Sequence, residues 1–211
     1  MSPTLPTPAP ARTPRAERSR QLILDAAGQC FAASGYAKTT VEEVASRAGV
    51  SKGLVHHHFG TKERILEAVV ERTLAKWDAV SRVEAMVSGG SVLEGIAEMH
   101  RASIAYAREN PALHALIELD GRVLLDAGIG RAVRSAMQSL RAALVDTVRI
   151  GIESGELRED LVAEQAADVI LVHHLAYIQH VIDPEWVDVS NDALIEAGLD
   201  ILLRGLAREQ R

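Results

Sequence analysis

Residues 40–62 read Thr-Val-Glu-Glu-Val-Ala-Ser-Arg-Ala-Gly-Val-Ser-Lys-Gly-Leu-Val-His-His-His-Phe-Gly-Thr-Lys. This order holds two short helices, a tight turn between them and the start of a third. Thr40 stands at an N-cap, and Glu43 completes a capping box with it. Val41, Val44, Ala45 and Ala48 then supply an apolar stripe at helical spacing. Gly49 falls where a helix ends in a left-handed residue, and Ser51 caps the next helix, Lys52 to His58. Two helices of about two turns around a short turn with a glycine make a helix-turn-helix, whose second helix enters the DNA major groove.

At 100° per residue, Val55 and Phe59 point into the core while Gly53 and His57 point away, flanked by Lys52 and His56. Gly53 removes a side chain where the helix backbone could approach DNA. Thr40, Ser51 and Lys62 sit at helix N-termini, where backbone N–H groups and hydroxyls suit phosphate. These seven residues are the expected DNA contacts.

The charge distribution agrees. Residues 1–64 carry nine Lys/Arg against five Asp/Glu, and residues 65–211 carry 14 against 24. A basic end on an acidic body suits binding of a polyanion by that end alone. The lone cysteine, Cys30, excludes an internal disulfide and a cysteine-based zinc site, and is expected to be a buried thiol. No apolar run approaches the ~20 residues that span a bilayer, and no signal peptide is evident, so a cytoplasmic protein is expected.

Along the chain, residues 1–14 hold five of the seven prolines and are expected to be a disordered tail. Helical patterns follow at about 17–34, 41–48, 52–58, 62–86, 91–110, 112–126, 129–154, 162–182 and 191–208, about nine in all. Ser91 and Glu94 read as another capping box. No segment alternates like a strand, so the fold class is all-α. The last two helices are apolar on more than one face, which calls for burial on several sides. A second copy of the chain is the simplest cover, with Leu171, Leu175, Leu199, Leu202 and Leu206 as interface candidates.

Over about residues 18–66 the chain resembles the TetR family of bacterial transcriptional repressors. The resemblance rests on Ile23, Ala26, Ala27, Phe31 and Ala32 before the motif, Ser-Gly-Tyr-Ala-Lys-Thr-Thr at 34–40, and Phe59 with Gly-Thr-Lys-Glu after it. It implies an N-terminal helix-turn-helix domain, dimerisation through the last two helices, and an effector site within the C-terminal helices. The sequence departs from the family at position 56, where a tyrosine commonly contacts a DNA phosphate and this chain has His56, within His56-His57-His58. A neutral imidazole can still donate one hydrogen bond, so the role survives with a strength that depends on pH. Polar or aromatic residues inside apolar patterns are the effector-pocket candidates: Trp77, His100, Tyr106, His114, Glu118, His173 and Tyr177.

Adjacent helical histidines diverge by 100°, so His56–His58 make a poor metal site, as does the pair His173-His174. His100, His114, His173 and His174 could converge, which keeps a metal-responsive sensor on the same fold as the alternative. No glycine-rich phosphate loop, nucleophile elbow or His-Glu-x-x-His occurs, which disfavours an enzyme or a helical carrier and implies no cofactor. The expected organisation is a tail at 1–14, a DNA-binding domain at 15–62 and an effector-binding and dimerisation domain at 63–211. The expected function is a homodimeric regulator released from a palindromic operator by a small molecule.

Overall fold

The computed structural model describes residues 13–82, 90–110, 112, 128–182 and 192–208. Among these there are eight helices: α1 (Pro14–Lys38), α2 (Val41–Ala48), α3 (Lys52–Phe59), α4 (Lys62–Val80), α5 (Val92–Glu109), α6 (Ile129–Glu153), α7 (Ala163–Ile182) and α8 (Asp192–Leu206). The expected tail, apart from Thr13 and Pro14, and nearly all of the helix expected at 112–126 lie outside the described residues.

The helix starts are those the side chains dictate. Thr13 accepts from the Ala16 N–H with Pro14 at the first helical position, where its missing N–H costs nothing. Thr40 and Glu43 form the reciprocal box, with the Thr40 N–H donating to Glu43 at 2.8 Å. Ser51 and Thr61 cap α3 and α4. α1 runs past the expected stop at Gly35, which takes φ 74° within the assigned helix and kinks it. α4 ends sooner than expected, at Val80, where Ser81 turns inward and its hydroxyl meets that of Ser103 at 2.8 Å.

The box expected from Ser91 and Glu94 is completed differently. Ser91 accepts from the Glu94 N–H, but the carboxylate at this terminus comes from Glu156, in the turn between α6 and α7. Glu156 accepts from the Ser91 hydroxyl at 2.6 Å and from the Val92 and Leu93 N–H groups at 2.8 and 3.0 Å. A negative charge here also opposes the positive end of the helix dipole.

One continuous core runs through both ends of the molecule. Ile23, Leu24 and Phe31 of α1 pack with Val44, Val55, Ile65 and Leu66 around the helix-turn-helix. Ile96, Met99, Leu144, Val148, Leu157 and Ile170 fill the body. α4 belongs to both, since it packs on α1 at one end and on α5 and α6 at the other. Arg72 of α4 ties the two ends further, reaching Asp25 at 2.8 Å and Gln21 at 3.0 Å on α1.

Candidate nucleic-acid interface and effector site

Helix α3 has one fully buried side chain, Val55, and Phe59 packs partly buried against the same core. Gly49 makes that turn with φ 66°, a conformation that disfavours any residue with a Cβ. Lys52, Gly53, His56 and His57 are all exposed, as the helical period requires. A Cβ added at Gly53 would meet nothing nearer than the Ser51 hydroxyl at 3.9 Å, so folding does not require this glycine.

The individual contacts alter what these side chains can offer. Lys52 forms an ion pair with Glu42 of α2, and this neighbour holds the Glu42 carboxyl below its usual range. The His56 Nδ1 lies 2.8 Å from the Gly60 carbonyl, which can only accept. Nδ1 must therefore carry the hydrogen, and in the neutral ring Nε2 is left as an acceptor. Thr40 has both its N–H and its hydroxyl engaged by Glu43. Ser51 only accepts from Leu54, leaving its hydroxyl hydrogen to a partner.

Lys62 is placed differently from the expected phosphate contact. Its ammonium donates to the carbonyls of Tyr36 at 3.0 Å, Ala37 at 3.3 Å and Thr39 at 3.0 Å, and sits 4.4 Å above the Tyr36 ring. All three donors are thus committed to closing the C-terminal end of α1. Sequence reasoning located this lysine at a helix start but had no means of seeing the carbonyls that converge on it from 23 to 26 residues away.

In the body, four of the seven effector-pocket candidates come together. His100 of α5 lies with its ring centroid 5.1 Å from His173, 5.2 Å from His174 and 5.4 Å from Tyr177. Trp77 of α4 stacks on His174 at 6.0 Å with the planes 9° apart. Tyr106 stands apart, at the junction of α1, α4 and α5, where its hydroxyl donates to the Thr73 carbonyl at 3.3 Å. His114 and Glu118 lie outside the described residues.

His174 was not among the pocket candidates, yet it is fully buried and joins Trp77 to His100 within this cluster. The divergence of adjacent side chains on α7 is real, but His100 enters from α5 and touches both. Nδ1 of His174 and Nδ1 of His100 are 3.2 Å apart. Burial lowers the His100 pKa to about 4 and the His174 pKa to about 3, each assisted by neighbouring histidines. His173 is lowered as well, by burial, against a hydrogen bond to the Gly198 backbone that raises it. Among the described residues no group of three or more His, Cys, Asp or Glu is arranged to hold a metal ion.

Beside Trp77, a cavity of about 280 Å³ opens between α4 and α6. Ser81, Ala136, Leu140 and Ala143 line it, and Asp78 and Arg82 add charge. Those two form an exposed ion pair at 3.5 Å.

The interface candidates on α7 and α8 divide by burial. Leu199 and Leu206 are 1% and 5% exposed, so their own chain already covers them and they are corrected as surface contacts. Leu171, Leu175 and Leu202 are half-buried against the core. The exposed apolar side chains on these helices are instead Val169, Val172, Leu194 and Ile201. Among the described residues no helix is long and apolar enough to cross a membrane.

Residues 23–69 match the family described as bacterial regulatory proteins, tetR family. The HTH-type transcriptional repressor Rv1474c of Mycobacterium tuberculosis is 30% identical over 173 residues, covering 81% of this chain and 87% of the relative. The repressor KstR2 of Mycolicibacterium smegmatis is 26% identical over 90% of this chain and 92% of its own length. The transcriptional regulator FadR of Bacillus subtilis, solved with stearoyl-CoA, shares the fold at a TM-score of 0.70 and 22% identity, covering 88% of this chain and 98% of that one. With its helix-turn-helix, its all-helical body and a relative at this identity over most of both lengths, the chain belongs to the TetR family of transcriptional regulators.

Proposed function

We propose that the protein is a homodimeric repressor that leaves a near-palindromic operator when a small molecule binds its helical body. Residues 15–62 form the DNA-reading part and residues 63–211 the effector and dimer part. The observation that carries this reading is the face of α3, where Lys52, Gly53, His56 and His57 stand exposed over the buried Val55. Lys52 and His57 are assigned to base readout, while Ser51 and His56 are assigned to phosphate. Lys62 and Thr40 support the interface by holding the start of α2 and the end of α1.

Dimerisation is supported by Val172 and Ile201, 68% and 73% exposed, on the two helices that end the described chain. Apolar side chains left this open on adjacent helices favour a partner. Release by a small molecule is supported by the buried ring cluster and its cavity, and by the stearoyl-CoA held by the Bacillus subtilis relative. An effector that favours one spacing of the two recognition helices would shift the population between bound and free states.

Selection from a random DNA pool tests the central claim. The expected product is a two-fold symmetric site with half-site centres about 34–36 Å apart, or a multiple of that. A pool that yields no enriched site overturns it.

A further inference from the structure

The polar atoms of the ring cluster are unevenly satisfied. Trp77 Nε1, His100 Nε2, His173 Nδ1 and His174 Nε2 are buried and have no hydrogen-bond partner among the described residues. Trp77, His100 and His174 are each more than nine-tenths buried. An orphaned buried polar group costs about 1–3 kcal/mol, so four on adjoining side chains call for polar partners from outside the protein.

Their hydrogen-bonding character can be derived. The Nδ1–Nδ1 bond between His100 and His174 needs one hydrogen, so one ring donates and the other accepts. Whichever way that bond runs, the donating ring has a bare Nε2 and the accepting ring has an Nε2–H. The pair therefore offers one acceptor and one donor. His173 bonds the Gly198 backbone through its ring, and a Cβ at Gly198 would clash with the Tyr177 hydroxyl and fall 3.4 Å from His173 Nε2, so both side chains crowd this glycine and Nε2 is the ring nitrogen that faces it. A hydrogen on Nε2 leaves Nδ1 of His173 as an acceptor. Trp77 adds a donor. The cluster thus presents two donors and two acceptors, with no carboxylate, ammonium or guanidinium among them.

We infer that the cluster and the 280 Å³ cavity that meets it at Trp77 bind an uncharged small molecule carrying hydroxyl-type groups, which donate and accept at once. A carboxylate ligand would supply acceptors only and an ammonium donors only, so each would strand some of the four atoms. At the rings themselves either ion would be buried with no opposite charge, because the cavity's Asp78 and Arg82 are exposed and paired with each other and the imidazoles resist protonation. The apolar part of the ligand would lie on Ala136, Leu140 and Ala143. This assignment rests on the effector reading above and gives that site its chemistry.

A matched set tests it: benzyl alcohol, toluene, benzoate and benzylammonium, each titrated into the full chain carrying Trp186→Phe, so that Trp77 is the only tryptophan and is excited selectively at the red edge of its absorption. Trp77 emission should respond to benzyl alcohol at about tenfold lower concentration than to either ion, the ratio expected for one well-placed hydrogen bond to a buried partner. His174→Phe, which removes the donor–acceptor pair, should shift preference from the alcohol towards toluene. Ala143→Leu, which fills the cavity and leaves the cluster intact, should abolish the response to benzyl alcohol even if the histidine variant fails to fold. Tightest binding of benzoate or benzylammonium overturns the ligand class and leaves the effector site standing. Alcohol binding unchanged by Ala143→Leu, or by a folded His174→Phe, overturns the site. No response to any of the four up to their solubility overturns both the site and the effector reading placed on it.

Discussion

A histidine that gives its Nδ1 hydrogen to the Gly60 carbonyl faces the outside with a lone pair. A phosphate oxygen repels that lone pair, so a neutral His56 in this rotamer opposes DNA, and only the imidazolium donates from Nε2. If His56 meets phosphate as proposed, the contact favours the charged ring and binding takes up a proton. DNA affinity should fall as pH rises from about 5.5 to 8, and the gain at low pH should vanish once the ring is neutral even in the complex. His56→Tyr should flatten the profile on the same operator, and parallel profiles in a binding titration would remove His56 from the proton linkage. Lys62 leads to a second expectation at this scale. With three carbonyls on its ammonium, Lys62→Ala should cost the fold about 1–3 kcal/mol in chemical denaturation, beyond any loss of DNA affinity. Unchanged stability would return the lysine to a purely phosphate-directed role.

Short helices depend on their ends, and α2 and α3 have eight residues each. Gly49 joins them at φ 66°, so Gly49→Ala should lower stability by about 1–2 kcal/mol in thermal unfolding and misplace α3. A melting curve equal to the parent's would show that the turn tolerates a Cβ. On α8, neighbouring positions separate fold from assembly. Leu199→Glu should yield unfolded protein, because that side chain is enclosed by its own chain, whereas Ile201→Glu should yield folded monomer in light scattering. A folded dimer from Ile201→Glu would exclude that residue from the interface. This contrast marks where the sequence was legible. Caps at Thr40, Ser51 and Thr61 and the outward face of α3 follow from spacing alone, because each depends on residues within one or two turns. The leucines of α8 could not be assigned to core or surface by periodicity, since apolar residues occupy both faces. Glu156 taking the place of Glu94, and His100 entering between His173 and His174, depend on contacts 63 to 74 residues apart, for which one sequence carries no local signal.

At the scale of the whole molecule, buried neutral histidines make stability depend on acid. The folded state holds His100 near pH 4 and His174 near pH 3, while an unfolded histidine titrates near about 6.5. Below that value the unfolded chain takes up protons that the folded chain refuses, so stability should decline as pH falls from about 6.5 towards 4. The slope is up to about 1.4 kcal/mol per pH unit for each histidine. His174→Phe, by removing one such group, should show a shallower decline between pH 6.5 and 4, and identical slopes in acid denaturation would exclude the cluster as its source. A different long-range tie joins the turn after α6 to the end of α8. Arg158 donates its N–H to the Leu206 carbonyl at 3.1 Å, and Arg208 donates to that of Glu156 at 3.0 Å. Glu156 meanwhile holds the start of α5. The turn is therefore a buckle worn by three helices at once, fastened only when the C-terminal segment arrives. On a ribosome, α5 would emerge with Ser91 alone to cap it and would wait for the carboxylate of Glu156, 64 residues behind Val92.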